Sequence, residues 1–553
     1  MNLKNYSQVH HLTAIAFILA LALVPSAHPA NIWDGSGADG FWNTANNWDN
    51  DTVPAASQNL TFSGNVQTIT TNNISAGFSV GTITFANDST NATSGFTLAG
   101  LNIALGADIG TAASSSIITD TISSNLQMTG NRGVNTGANH NLIISGVISQ
   151  SSGTRSFTKA GTGELTLQNA SNTYLGATTI NAGTLTVNVA GGIANAGVAS
   201  ALGSGTVANS LIRFSGGTLN VTLGAGGTDR QVQIGSTNVA NSAGANINNN
   251  SVNGGTPLVF SNTAFNVSAG ATTITANRLL TLGGANTDAN AINGVISDNN
   301  TAGGGTISLT KSGSGRWVLS GVNTYTGATS VSGGTLLVSN GGSIAQSSLT
   351  TVTTGTTLTA NGTVGAVAVN TGGTLNGAGT VGTTTVAGTL TPGNSPGVLN
   401  VNGNLTMASG GNMVWELFAN TATQASPAVF DQVLVSGNLT FDGSNGISLN
   451  FGTTAAGSTV SWSDSFWSSN RSFLIYDVSG STTGFSNLSL LNTSFNDATG
   501  AALAESQGNF TVSQLGSDVF LNYNAIPEPS TGTLLGFGFG GLVLTRLLRR
   551  KQS

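Results

Sequence analysis

Three tryptophans and four aspartates crowd one short stretch near the start of the chain. In Asn31–Pro54, "NIWDGSGADGFWNTANNWDNDTVP", Trp33, Trp42 and Trp48 alternate with Asp34, Asp39, Asp49 and Asp51. Indole faces stack on sugar rings and carboxylates bind calcium, so Trp33, Asp34, Trp42 and Trp48 are candidate glycan or calcium contacts. The same residues have a plainer use, as a lid over the open end of an apolar core. Elsewhere, groups able to do chemistry are sparse. The chain has no cysteine, which excludes zinc–thiolate sites, thiol nucleophiles and redox pairs. Its four histidines are His10, His11, His28 and His140, and His140 alone lies beyond Ala30. One histidine gives little support for a Ser-His-Asp triad. The acids are scattered, with no carboxylate pair set beside a basic residue. No catalytic residue and no metal site is assigned, no cofactor is expected, and the chain reads as not an enzyme.

Lys159 and Lys311, and Tyr174 and Tyr325, recur in two related stretches: "KAGTGELTLQNASNTYLGATTINAGTLTVN" from Lys159 and "KSGSGRWVLSGVNTYTGATSVSGGTLLVS" from Lys311. Both carry Asn-Thr-Tyr, then Gly-Ala-Thr, then Gly-Thr-Leu. Glycan stacking on the tyrosines is one reading; repeated structural turns explain the recurrence more simply. A shorter unit, "GTVGAVAVNTGGTLNGA" from Gly362, returns as "GTVGTTTVAGTLTPGNS" from Gly379, a period of 17.

These residues must be held by strands. Leu165 and Leu167 alternate with polar neighbours, as do Leu185, Val187 and Val189. Such alternation buries one face of a strand, and the Gly, Asn and Ala-Gly between the runs supply turns. By this pattern Leu185 and Val187 face a core, while Thr184 and Thr186 face water. Three short strands in roughly 17 to 25 residues make one coil of a parallel β-solenoid, which cannot bury its apolar face until coils stack. Roughly 17 to 20 coils at about 4.8 Å each would give a rod of roughly 80–100 Å. A β-sandwich array also uses short alternating strands, but it would not need Gly-Thr-[Leu/Val] to return at 17.

Composition agrees. Charged residues make up only 6% and glycine numbers 77 of 553, against roughly 25% and 7% in ordinary soluble proteins. All 20 acids lie between Asp34 and Glu528, whereas five of the 14 bases sit in the two termini. The stretch between is therefore strongly acidic, which disfavours nucleic acid as a partner.

The two ends read as routing signals. Lys4, an apolar run Leu12–Val24, Pro25, and the small residues Ala27 and Ala30 form the pattern of a Sec-type signal peptide. The run is shorter than the ~20 residues that span a bilayer. At the other end, Pro527-Glu528-Pro529 precedes a largely apolar segment and the bases Arg546, Arg549, Arg550 and Lys551. Positive charges keep their side of a membrane segment in the cytoplasm while the rest is exported.

The stretch from Ile526 to Ser553 resembles the PEP-CTERM sorting signal of Gram-negative bacteria. The resemblance implies that an exosortase, a membrane-embedded cysteine peptidase or transpeptidase, reads Pro527, Glu528 and Pro529, and that the inner membrane is a transient partner. The repeats over Gly146–Val189 and Gly294–Val338 resemble autotransporter-associated β-strand repeats of passenger domains. They imply a right-handed parallel β-helix at the bacterial surface, and that family commonly opens with a Trp-Asp-Gly…Trp…Asn-Trp cap. One departure is that no C-terminal stretch reads as the strand series of a membrane barrel.

The expected organisation is a signal peptide (1–30), an N-terminal cap (31–60), solenoid repeats (61–409), a C-terminal solenoid and cap region (410–525), and a sorting signal with a transmembrane helix and basic tail (526–553). The expected function is a non-enzymatic surface or extracellular-matrix protein, in adhesion or as structure within exopolysaccharide. The partners are exosortase and extracellular polysaccharide. The alternatives are a polysaccharide-active β-helix enzyme and a carbohydrate-binding module.

Overall fold

A computed structural model describes residues 31–527 apart from 89, 91–93, 236–242, 256, 266–275, 299–303 and 456. The segments read as signal peptide and membrane helix lie outside the described residues. Among those described there is no α-helix, only strands and three short 3-10 turns, and no helix long and apolar enough to cross a membrane.

The chain winds into stacked coils of short strands. One coil is Leu60–Phe62, Ile69–Asn72 and Phe78–Val80; the next is Ile83–Phe85, Thr97–Gly100 and Ile103–Leu105. Each strand pairs in parallel with its counterpart one coil on, Leu60 with Ile83, Ile69 with Thr97 and Phe78 with Ile103. One such ladder runs through seventeen strands, from Ile69–Asn72 to Thr482–Thr483. At about 4.8 Å per step it makes a rod of about 80 Å. A nine-stranded sheet accompanies its first half and an eleven-stranded sheet its second. In chain order the four-stranded and then the eleven-stranded sheet follow the ladder along one side, and the nine-stranded, a two-stranded and the eight-stranded sheet precede it along the other. This is the architecture of a parallel β-solenoid.

The period of 17 is visible as register. Thr350, Val367 and Thr384 are successive partners, as are Leu358 and Leu375, while Leu375 meets Leu390 after 15 residues. Alternation places every second side chain inside: Thr335–Val338, Thr357–Ala360 and Thr374–Gly377 share one pattern of half-buried and buried positions. The inward residues form columns. Leu336, Leu358, Leu375, Leu390, Met413 and Ile447 stack in register and are all fully buried. Each buried Leu is worth roughly 1.5–3 kcal/mol against exposure. Glycine stands before Thr at the corners because coils touch there. A Cβ on Gly379 would lie 2.2 Å from the Gly362 carbonyl oxygen, and one on Gly362 would lie 2.2 Å from that of Gly342.

Thr186 departs from the alternation, as do Ala104, Gln233 and Ala291. Thr186 is only 4% exposed, although its neighbours Leu185 and Val187 point inward as the pattern predicts. Its Oγ1 donates to Glu164 Oε1 at 2.5 Å and accepts from Asn220 Nδ2 at 3.3 Å. Longer polar side chains on the coils above and below cover it, so the expectation that it faces water is corrected; Thr184 remains half-exposed.

After Asn412–Leu417 the coils lengthen, with excursions over 418–430 and 452–470. The parallel stacking continues to Leu488–Leu490. The eight-stranded sheet then ends in an antiparallel hairpin, Gly508–Leu515 and Asp518–Ala525, laid on Arg471–Val478.

Candidate functional site

The tryptophan stretch folds over the first coil. Trp33, Trp42 and Trp48 are fully buried. Trp33 meets Trp48 edge-on at 5.2 Å, Trp42 meets Trp48 edge-on at 6.2 Å, and all three contact Phe62 of the first coil. Two indole N–H groups are used internally, Trp42 Nε1 to Thr70 Oγ1 and Trp48 Nε1 to the Trp42 carbonyl. No indole face is left for a sugar. The carboxylates serve local backbone: Asp34 accepts from Ser36 N–H, Asp39 from Phe41 N–H and Asp49 from Ile32 N–H. The Phe41 N–H, with Thr44 and Asn47, holds the Asp39 carboxyl below its ordinary range. Among the described residues no three acids or histidines converge as a metal site.

This stretch and the residues just after it occupy the first edges of the three sheets that begin at this end. Asp49 N–H donates to the Ile32 carbonyl on the strand Asn31–Trp33. Thr71 of the seventeen-stranded ladder exchanges hydrogen bonds with Gly40 and Trp42. Ser57 and Gln58 bond the edge of Phe78–Val80, through Ser57 N–H to Ser79 and Gly81 N–H to Gln58.

The recurring residues are interior too. Lys159 and Lys311 are fully buried. Lys159 Nζ donates to the carbonyls of Ala160, Gly161 and Ala182 at 2.7, 2.8 and 3.2 Å. Lys311 Nζ donates to those of Ser312, Gly313 and Gly333 at 2.7, 2.9 and 2.9 Å. Each ammonium thus joins its own corner to the corner one coil on, with three donors meeting three acceptors. Burial lowers both amines to about 8, and Glu164 partly offsets this at Lys159.

Asn-Thr-Tyr stands where a third strand would be. Asn172 Oδ1 accepts from Ile148 N–H at 2.8 Å, and Thr173 N–H donates to the Ile148 carbonyl at 2.9 Å. Asn323 and Thr324 do the same with Ile296, both at 2.9 Å. The side-chain amide thus supplies the acceptor that a ladder carbonyl would. The Tyr174 hydroxyl bonds Thr178 Oγ1 at 2.7 Å, and Tyr325 bonds Thr329 at the same distance. Both rings are buried, so neither offers a stacking platform, and burial raises Tyr174 to about 12 and Tyr325 further.

Several buried titratable side chains were not legible from motifs. His140 Nε2 lies 2.5 Å from Asp120 Oδ2 and its Nδ1 donates to the Ala112 carbonyl at 2.9 Å. Asp120 Oδ1 accepts from Phe96 N–H. Both ring nitrogens are engaged, so His140 has no free nitrogen for proton transfer to a ligand. The signal was a polar residue at an inward position, in "ITDTI" and again one coil on in "HNLII". Arg230 is 1% exposed and ties down the excursion after Asn188, donating to the carbonyls of Ala194, Leu202 and Gly203. Asp431 is fully buried; burial pushes its carboxyl up to about 8, and Glu416 adds to this, against N–H donors from Gly397 and Glu416. Among the described residues no basic side chain bonds this acid pair: Glu416 is held by Ser395 and Asn450.

Of the sorting residues, Pro527 lies at the rod's C-terminal end. With Ile526 it lines a cleft of about 860 Å³ beside Ser463–Ser468 and Ala504–Gln507. Glu528, Pro529, Arg546, Arg549, Arg550 and Lys551 lie outside the described residues.

Comparison with known proteins falls on the same coils. The model of the Passenger-associated-transport-repeat matches residues 157–187 and 309–338, the two segments that carry the lysine, Asn-Thr-Tyr and Gly-Thr-Leu elements. The chain is also similar to the adhesin BmaC autotransporter of Brucella suis biovar 1, at 35% identity over 197 residues. That alignment covers 35% of this chain and 4% of the relative's length.

Proposed function

We propose that this chain is a non-enzymatic, exported β-solenoid that acts at the cell surface or in the extracellular matrix, in adhesion or as a scaffold within polysaccharide. The observation that carries the reading is the coincidence of the two passenger-repeat matches with the residues that build the coils. The likeness to a bacterial adhesin supports it. His140, Lys159, Lys311, Tyr174, Tyr325 and the cap tryptophans are used inside the rod, as clamps and caps, which disfavours the polysaccharide-cleaving alternative. What is left for a partner is a long, weakly charged surface of Thr, Ser and Asn, suited to many weak polar contacts.

The route to that surface belongs to the same proposal. Residues 1–30 direct export, 31–60 cap the rod, 61–409 and 410–525 form its body, and 526–553 hold the precursor in the inner membrane. An exosortase reads Pro527, Glu528 and Pro529, and Arg546, Arg549, Arg550 and Lys551 set orientation. The test uses the full chain in a Gram-negative host carrying an exosortase. The parent should be trimmed at both ends by intact mass, reach the surface, and retain polysaccharide without generating new reducing ends. Changing Pro527, Glu528 and Pro529 to Ala should leave it exported, untrimmed and in the inner membrane. New reducing ends in proportion to the protein would overturn the non-enzymatic reading; normal trimming of the triple variant would overturn the sorting reading.

A further inference from the structure

The two ends of the rod are finished differently. At the N-terminal end, the first edge of each of the three sheets that begin there is hydrogen-bonded by residues 40–58 of the same chain. At the C-terminal end the eight-stranded sheet stops at Gly508–Leu515, which pairs with Asp518–Ala525 on one side. Gly516-Ser517 form a two-residue turn with Gly516 at φ +63°, so Leu515 and Asp518 are a hydrogen-bonded pair. Alternation along an antiparallel pair then turns the N–H and C=O groups of Phe510, Val512 and Gln514 away from the hairpin. The partner strand agrees: Val519, Leu521 and Tyr523 face Arg471–Val478, and Ala525 N–H reaches Asn470. Among the described residues, no other segment hydrogen-bonds the backbone of Phe510, Val512 or Gln514.

Free edges of this kind are normally guarded by charge, proline or a bulge. This one, "GNFTVSQL", has neither charge nor proline, its strand pairs in unbroken register along its whole length, and Leu515 at its tip is 73% exposed. We propose that Gly508–Leu515 is a self-association edge, on which a second copy of this chain pairs antiparallel, end to end. Three observations favour a second copy. An antiparallel pair of identical strands is self-complementary about a twofold axis, and the strand places no like charges opposite one another. Val512 and Gln514 could exchange main-chain bonds with their symmetry mates, while Phe510, 6% exposed, anchors the inner end of the strand. And because the N-terminal edges are occupied, the contact cannot continue head to tail. It closes at two, doubling the rod's length with both N-terminal caps outward.

Sedimentation of the purified full chain in mild detergent, with single-cysteine variants, tests this independently of sorting. The parent should show a concentration-dependent dimer. The chain has no native cysteine, so cysteine placed singly at Asn509, Thr511 and Ser513 should give an intermolecular disulfide at one or more of these positions, and none at Thr371→Cys on the rod's side. Gln514→Pro removes an outward donor and should halve the mass. Gln514→Lys, a milder change, should weaken the dimer at low salt and recover partly at high salt. A parent that sediments as a single chain at every concentration overturns the proposal. So does a dimer that neither Gln514 variant weakens and no edge cysteine traps.

Discussion

The two matched repeats, 157–187 and 309–338, are the same device set on different sides of the rod. In the first, the lysine strand Phe157–Ala160 belongs to the nine-stranded sheet and the next strand, Glu164–Leu167, to the seventeen-stranded ladder. In the second, the lysine strand Ile307–Lys311 belongs to the seventeen-stranded ladder and Arg316–Leu319 to the eleven-stranded sheet. Yet the clamps are alike: three carbonyls on each lysine, one amide acceptor under each preceding isoleucine, one tyrosine–threonine bond. The motif therefore encodes a strand–corner–strand unit and is indifferent to which side it occupies. Outside, the copies diverge. Glu164 in one stands where Arg316 stands in the other, and the first is followed by an excursion that Arg230 ties down, the second by the strand Ser343–Ile344. The interior is held constant while the exterior varies, which leaves the surface open to partner-specific change.

Three measurements can break or sharpen this equivalence. The largest effect should come from the core. Leu185→Asp and Leu336→Asp each bury an unpaired carboxylate at the same place in the two copies, and each should cost several kcal/mol. Half-exposed Thr184→Asp should cost less than about 1 kcal/mol. Urea midpoints would show it; equal losses for Leu185→Asp and Thr184→Asp would contradict the assigned faces, and a large difference between the two leucines would show the copies to be unequal.

Next is the amide that replaces the third strand. Asn172→Ala and Asn323→Ala each strip a buried isoleucine N–H of its acceptor, at about 1–3 kcal/mol. Asn323 also donates to the carbonyls of Gly321 and Ser343, whereas Asn172 donates to that of Ala201 alone. Thermal unfolding should therefore rank Asn323→Ala as the more damaging. The reverse order would mean that the excursion after the first copy contributes more than its hydrogen bonds indicate.

The third is a pH dependence shared by both copies. Lys159 and Lys311 titrate near 8 in the folded rod against an unfolded value of 10.5. Between about pH 8 and 10.5 the unfolded chain holds protons that the native chain has released, so stability rises with pH across that window. The buried tyrosines have raised values, so above about pH 10 the unfolded chain ionises first and stability falls. Asp431, raised to about 8, loses its contribution as pH climbs to 8 and adds no slope beyond. Melting temperature should thus rise from pH 8 to about 10 and then decline. The double variant Lys159→Met/Lys311→Met should flatten the rise, and each single variant about half of it. An unchanged profile in the double variant would remove the lysines as its cause.

Much of the fold was legible because its signals are local. Alternation in Thr335–Val338 and the return of Gly-Thr at 17 are properties of a few consecutive residues, and they imply one buried face and a tight corner wherever they stand. The site was less legible. Nothing local separates an indole that stacks on a sugar from one that seals a coil; Trp33, Trp42 and Trp48 look alike in either role until Phe62 is seen beneath them. Thr186 was misplaced for the same reason, since Glu164 and Asn220, which cover it, come from neighbouring coils.

By itself, then, the sequence determined the strand pattern, the corner glycines and the repeat, because each depends on backbone geometry and on the apolar or polar character of near neighbours. Only the tertiary structure decided which groups meet between coils. His140 finds Asp120 in the coil before it, and Lys159 reaches forward to the carbonyl of Ala182. Those meetings depend on how much chain each corner and excursion consumes, which is little in the tight coil that pairs Thr350 with Val367 and much in the long one that pairs Val398 with Gln432. A residue added within a strand would turn the side chains beyond it to the other face, whereas a corner absorbs one: Lys159 to Tyr174 is one residue longer than Lys311 to Tyr325, and all four side chains are buried. Coil length is a property of the stacked rod, in which each strand settles where its inward side chains continue the column below.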